Sequence, residues 1–294
     1  MDILRSAPDI TSGITGLSNR PITTGGGGDI YKADFKRAPV AVKVIRRLSD
    51  RDSARWIKLV RRELTNWMRL SHPNILEFYG VCRHGPYGFA LVSPWMHHGG
   101  VLAYLLEYPH ANRANLLLDV ATGLKYLHSL DPPLVHGDLS ARNILVRESG
   151  EACLADFGLS RVLLKVEGSE SSGSSALQGN PRWLAPERLD PHKYGMSPTE
   201  SMAPASDVYS FGMVVFELYT NRIPFHEAHN RYIIPVKVLA GERPSHPGME
   251  AIDKGLSDTI WSIAQDCWKD NWEERPRAEE LVQRLAAIVG HDAQ

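Results

Sequence analysis

The chain has 294 residues, 43% of them hydrophobic, and a formal net charge of -1 from 33 basic and 34 acidic side chains. That length buries a substantial core in one large or two small domains, and the charge balance gives no reason to expect nucleic acid or an anionic membrane as a partner. Three cysteines, Cys82, Cys153 and Cys267, lie far apart with no CxxC pair, which fits a reducing compartment and excludes a disulfide or zinc framework. The first twenty residues lack a basic-then-apolar signal pattern, and no apolar run approaches the ~20 residues of a membrane-spanning helix. The expectation is a soluble, cytoplasmic protein with no membrane segment; its oligomeric state stays open.

In chain order, residues 1 to about 20 are rich in Ser, Thr, Gly and Pro without firm periodicity, and read as an extension or linker, in part strand. From Thr23 the glycine run Gly25-Gly26-Gly27-Gly28 leads into Asp29 to Phe35 and then Pro39 to Ile45. Both stretches alternate with the strand period, and Lys36-Arg37-Ala38-Pro39 reads as the turn between them. A basic helix is predicted from about Ser53 to Leu70, with Trp56, Leu59, Val60, Leu64, Trp67 and Met68 at three- and four-residue spacing. Strand-like pieces follow at Leu76 to Val81 and Phe89 to Val92. Beyond Gly99 the periodicity is helical at Leu102–Leu105, Leu116–Leu127, Val208–Leu218, Leu256–Cys267 and Ala278–Val289. A polar loop, Gly168 to Leu177, and a connector containing Pro and Ser, Asp190 to Ala205, interrupt it. A β-rich first third and a helix-rich remainder predict an α+β protein in two lobes.

The chemistry lies in four places. Four glycines alone read as a flexible linker; followed by a strand rather than Lys-Ser/Thr and a helix, they exclude a Walker-type loop and fit a hairpin folded over phosphates. Val40-Ala41-Val42-Lys43 ends a strand about fifteen residues after the last glycine, and Glu63 on the basic helix is the acidic side chain suited to hold Lys43. In His136-Gly137-Asp138-Leu139-Ser140-Ala141-Arg142-Asn143 an Asp and an Asn stand five apart in a loop between a helix and a short apolar strand. That spacing suits Asp138 facing an incoming hydroxyl while Asn143 binds a metal ion. Ten residues beyond Val146, Asp156-Phe157-Gly158 supplies a carboxylate for a hard cation. With Ala185-Pro186-Glu187 beyond it, the set is very specific.

Over residues 23 to 289 the chain resembles a eukaryotic protein kinase, most closely the tyrosine kinase-like group. The resemblance implies the bilobal kinase fold: an extension over 1–22, a small β-rich N-lobe with its hinge over 23–96, and a larger helical C-lobe over 97–294. It implies ATP and Mg²⁺ as cofactors and proteins as substrates. Lys43 becomes the phosphate-binding lysine, Glu63 its partner, Asp138 the catalytic base, and Asn143 and Asp156 the metal ligands. Gly25, Gly26 and Gly28 fall in the phosphate lid; Ile30, Ala41 and Leu145 sandwich adenine; Ser93 lines the back of the adenine pocket, followed by hinge residues Pro94 and Met96. Asp207 is expected to bond the catalytic-loop backbone, Arg275 to pair with Glu187, and Trp67, Phe78, Phe157 and His136 to stack as an internal spine.

Four departures bear on the reading. The first lid glycine is Thr23. The Arg usual before the catalytic Asp is Gly137, which predicts weak dependence on phosphorylation of Ser169 to Ser175. The position of the Ser/Thr-kinase Lys is Ser140, and Arg142 supplies positive charge instead, as in many tyrosine kinases. Asn180 replaces the Thr that bonds the catalytic Asp. The main reading is Ser/Thr phosphorylation, with tyrosine or dual specificity as the alternative and a pseudokinase signalling scaffold as the second.

Overall fold

The structure is a computed structural model that describes residues 7–25, 28–45, 61, 63–84, 88–157, 161–162 and 179–292. The chain forms two compact units: residues 1–97 with 155–158, and 98–154 with 159–294. The remainder of the predicted basic helix, the polar loop with its serines, and Gly26, Gly27 and Gly158 lie outside the described residues.

The first unit is built on a six-stranded sheet. Strands β1 (Ile14–Thr15), β2 (Thr23–Gly25), β3 (Gly28–Phe35) and β4 (Ala38–Val44) come first, and β5 (Gly80–His84) and β6 (Gly88–Pro94) complete it. The order is β1-β3-β4-β6-β5 with β2 on β3, and the paired strands run antiparallel. Alternation in β4 works as its sequence requires: Val40, Val42 and Val44 go into a cluster with Ala33, Cys82, Ala90 and Val92, while Ala41 and Lys43 face the other way. The turn before β4 is tighter than the sequence suggested. Only Lys36 and Arg37 form it, both with positive φ (50° and 68°), and Ala38 and Pro39 already belong to the strand. The strand expected from Leu76 begins instead at Gly80; Trp67 Nε1 donates to the Leu76 carbonyl at 2.6 Å, so that backbone group serves a side chain rather than a ladder.

Residues 7–15, read from the sequence as extension or linker and part strand, run along this sheet, joining it at Asp9 and at β1. Val81 N–H donates to the Pro8 carbonyl at 2.8 Å and Ile10 N–H to the Val81 carbonyl at 2.9 Å, a parallel bridge on the outer edge of β5. Ile10 and Ile14 then pack against the valine cluster before β1 joins the far end of β3. A Cβ on Gly80 would collide with the Pro8 carbonyl, so the crossing needs glycine there.

The second unit is helical: α1 (Val101–Glu107), α2 (Arg113–Ser129), α3 (Pro186–Leu189), α4 (Pro204–Thr220), α5 (Ile234–Leu239), α6 (Met249–Asp253), α7 (Asp258–Cys267) and α8 (Ala278–Asp292). Short strands β7 (Leu134–Val135), β8 (Ile144–Val146), β9 (Ala152–Leu154) and β10 (Arg161–Val162) pair as β7–β10 and β8–β9. Asn112 caps α2 by accepting from Ala114 and Asn115 N–H, and Ser257 caps α7. Every residue of α4 from Ser206 to Tyr219 is buried, the pattern of a helix at the centre of its unit rather than on a surface. α8 packs on α2, and α7 on α4. Among the described residues no helix is long and apolar enough to cross a membrane.

Candidate active site

In the first unit, Lys43 sits in β4 opposite Ile30 on one side and Leu91 on the other. Its Nζ lies 2.6 Å from Glu63 Oε1 and 3.1 Å from Asp156 Oδ1. Burial works to depress the Lys43 pKa, but the two carboxylates outweigh it and hold the ammonium well above the usual lysine range. Glu63 is itself buried, within the helical residues 63–67. Trp67, one turn on, has its ring 5.2 Å from Phe78 and 6.1 Å from Phe157, so the residue after Asp156 and the helix carrying Glu63 share one aromatic cluster. Asp156 holds φ at +65°, a conformation that costs a non-glycine residue about 1 kcal/mol or more and persists where surroundings impose it.

The β2–β3 hairpin pairs Thr23 with Ile30, Thr24 with Asp29 and Gly25 with Gly28. Gly28 has φ +132°, and a Cβ there would collide with the Val44 carbonyl. Ala41 pairs with Ser93 and Val40 with Pro94, which sets the half-buried Ile30 and Ala41 on strands beside the buried Ser93 and Met96.

In the second unit, Asp138 lies in the loop between β7 and β8. Asn143 Nδ2 donates to the Asp138 carbonyl at 2.7 Å and to its Oδ2 at 3.3 Å; Arg142 Nη2 reaches both carboxylate oxygens at 3.2 Å. The Arg142 guanidinium also lies over the Trp183 ring, 5.8 Å from its centroid. Ser140 is 1% exposed, so it cannot present a polar group where a lysine would reach out; Arg142, more than half exposed, does. Gly137 has φ +77°, natural for glycine, and its N–H donates to Asp207 Oδ1 at 2.8 Å. Asp207 Oδ2 accepts from His136 N–H at 2.8 Å and lies 2.9 Å from His128 Nε2. Burial pushes the Asp207 carboxyl up, yet these partners win and hold it below the usual carboxylate range. Leu145, half-buried in β8, bridges to Gly100. The expected Arg275–Glu187 pair is bidentate, at 2.7 and 2.8 Å.

Lys43, Glu63 and Asp156 are therefore brought together, as are Asp138, Arg142 and Asn143. Three contacts escaped the sequence reading. Glu217 Oε2 accepts from Ala141 N–H and from the Trp183 indole; its signal was a lone carboxylate in the apolar run of α4. His128 joins Asp207 from the end of α2. Arg182, buried, donates to the carbonyls of Pro224, Phe225 and Ala228, at 2.7 Å to the first and last.

The model of the family described as protein tyrosine and serine/threonine kinase matches residues 18–285. The chain belongs to the protein kinase family. This kinase domain is 31% identical over 296 aligned positions to the dual specificity protein kinase shkA of Dictyostelium discoideum, covering 97% of the chain and 52% of that protein. It is 31% identical over 275 positions to the serine/threonine-protein kinase CTR1 of Arabidopsis thaliana (91% and 31%). It is 30% identical over 269 positions to the serine/threonine-protein kinase TNNI3K of Mus musculus (90% and 30%). CTR1 and TNNI3K are kinases of the tyrosine kinase-like group, as the resemblance implied. The chain thus spans between about a third and about half the length of these relatives. Members of the kinase family generally use ATP and Mg²⁺.

Proposed function

We propose that this domain transfers the γ-phosphate of ATP to serine or threonine hydroxyls of protein substrates. The observation that carries the reading is, within the first unit, the pairing of Lys43 with Glu63 and Asp156; within the second, Arg142 and Asn143 orient the Asp138 carboxylate.

The residues fit the cofactor. Asn143 commits its Nδ2 to Asp138, which leaves the amide oxygen as a hard donor. Asp156, with its side chain 31% exposed, keeps carboxylate oxygen accessible beside Lys43. Asn143 and Asp156 would hold Mg²⁺, and Lys43 the α- and β-phosphates. Gly25, Gly26 and Gly28 would cover the phosphates; Ile30, Ala41 and Leu145 would hold the adenine, with Ser93, Pro94 and Met96 along its edge. When bound, Mg·ATP supplies the phosphoryl group and the cations that neutralise its charge.

The chain's own residues do the rest. Glu63 and Asp156 keep Lys43 charged and fixed in direction. Asp138 accepts a hydrogen bond from the acceptor hydroxyl, aims it, and takes its proton late. Arg142 steadies that carboxylate and, being partly exposed, offers positive charge on the acceptor side. Dual specificity is the second reading, supported by Arg142 taking the place of a lysine at Ser140 and by the likeness to the dual specificity protein kinase shkA.

The test is Mg·ATP phosphotransfer to generic protein substrates with phosphoamino-acid analysis, run beside Asp138→Asn. Label on Ser and Thr that falls roughly 10²–10⁴-fold in the variant, with nucleotide affinity kept, is the expected result. Label on Tyr as well moves the assignment to dual specificity, and transfer equal in the two proteins refutes the mechanism.

A further inference from the structure

Between α3 and α4 the connector closes into a turn over residues 197–202. Ser197 N–H donates to Glu200 Oε2 at 2.7 Å, and Glu200 N–H donates back to Ser197 Oγ at 3.2 Å. The two residues form a capping box, each satisfying the other's backbone donor. Ser201 N–H then donates to the Ser197 carbonyl and Met202 N–H to the Thr199 carbonyl, and both residues are buried. Ala203 follows at the head of α4, where its carbonyl accepts from Ser206 N–H at 2.8 Å and Ser206 Oγ at 2.7 Å.

The turn presents its serine to solvent. Of the two Ser-Pro pairs in the sequence, Ser93-Pro94 lies in β6 with Ser93 buried, whereas Ser197 of Ser197-Pro198 is exposed, as are Thr199 and Glu200. Pro198 has no N–H, so no hydrogen bond breaks there when the segment is drawn out. A residue before proline is also pushed towards extended conformations, the shape in which a kinase cleft takes an acceptor peptide. Gly195, at φ +68° with nothing within 4 Å of where a Cβ would stand, supplies a pivot two residues ahead of the serine.

We propose that Ser197 is a phosphorylation site for a second, proline-directed serine/threonine kinase, and that its phosphate opens the 197–202 turn ahead of α4. In that step the Ser197 Oγ bonds to the γ-phosphorus of ATP, the bond from that phosphorus to ADP breaks, and the hydroxyl proton passes to the modifying kinase's base. The product carries nearly two negative charges beside Glu200. The Ser197 backbone N–H and then its hydroxyl hold the Glu200 carboxyl below the usual range, so it is ionised at neutral pH. Two anions then share one turn, while Lys193, the basic side chain four residues back, is committed to the Leu239 carbonyl at 2.9 Å. Like-charge repulsion breaks the box. Asp207, which holds the N–H groups of His136 and Gly137, lies in the first turn of α4, so the opening reaches the Asp138 loop. A loss of activity by that route rests on the phosphotransfer reading above.

The experiment incubates the Asp138→Asn protein, whose own transfer is silenced, with a mitogen-activated protein kinase and ATP, and maps phosphate by peptide mass spectrometry. Phosphate is expected on Ser197 and is lost when Ser197→Ala is added. The phosphorylated protein should melt roughly 2–4 °C lower, the size of a lost cap, whereas the same modification in Glu200→Gln should lower melting by under about 1 °C. Wild type treated in the same way should show kcat roughly threefold below that of treated Ser197→Ala. Phosphate absent from Ser197, or present there with melting unchanged, overturns the proposal, as does an equal shift in Glu200→Gln. If untreated wild type transfers no phosphate, the phosphotransfer reading falls, and the labelling and melting results still decide this inference by themselves.

Discussion

Arg275→Met is the substitution whose cost the structure defines most closely. Arg275 is fully buried, and Glu187, its partner, is 2% exposed, so solvent screens their attraction little. Besides the two bonds to Glu187, Nη1 donates to the Ala205 carbonyl at 3.0 Å and Nε to the Lys269 carbonyl at 2.9 Å, and the guanidinium lies 5.1 Å from the Tyr209 ring centroid. Methionine fills comparable volume but strands a buried carboxylate, which costs about 3–5 kcal/mol. The paired variant Arg275→Met with Glu187→Leu removes that stranded charge. What remains is two carbonyls without their donor, about 1 kcal/mol each. That loss is common to both variants, so the double variant is expected to be more stable than the single one by roughly 3–5 kcal/mol, the cost of the stranded charge. Denaturant unfolding with linear extrapolation reads the difference, and a melting scan should show the single variant lower than wild type by roughly 10 °C. If the two substitutions simply add, or if Arg275→Met costs under about 1 kcal/mol, the pair does not anchor α3 and the reasoning fails.

Deleting residues 1–17 removes Ile10 and Ile14 from the valine cluster and two backbone bonds to Val81; about 3 kcal/mol should be lost, and Gly80→Val in the full chain should reproduce most of it. Unchanged melting in both would show that the crossing segment contributes nothing. The Glu217 carboxyl, raised from 4.5 to about 7, favours the folded state when protonated, so its contribution is complete below pH 4.5 and is lost as pH rises through 7. Relative to Glu217→Gln, wild type should therefore lose about 2 kcal/mol between pH 5.5 and 8, measured as the difference between their unfolding free energies. A difference that stays constant across that range would show the carboxyl to be unperturbed.

The parts of the site that could be read from the sequence are those whose chemistry repeats at fixed spacing. Asp138 with Asn143, and Lys43 with Glu63, could be paired because phosphate and metal handling constrain residue type and separation together. The long helices were equally plain, since apolar periodicity over three or more turns leaves little choice. Leu76 to Tyr79 looked like strand because apolar residues cluster there, but Trp67 claims the Leu76 carbonyl, a decision made by tertiary contact. The Pro8–Ile10 crossing was illegible for a similar reason: its partner Val81 lies more than seventy residues on, and a single parallel bridge leaves no local pattern. Glu217 showed itself only as a charge in an apolar helix. Its partners, an indole and one backbone N–H, carry no sequence signature at all.

The Arg182 clamp has a practical consequence for anyone exchanging parts between kinases. Three carbonyls of residues 224–228 converge on one guanidinium rooted next to Trp183, so the two segments are a matched pair although some forty residues separate them. A chimera that imports residues 179–184 without 224–228, or the reverse, inherits a buried cation facing the wrong carbonyls. Grafts meant to change substrate preference should therefore be cut to include both.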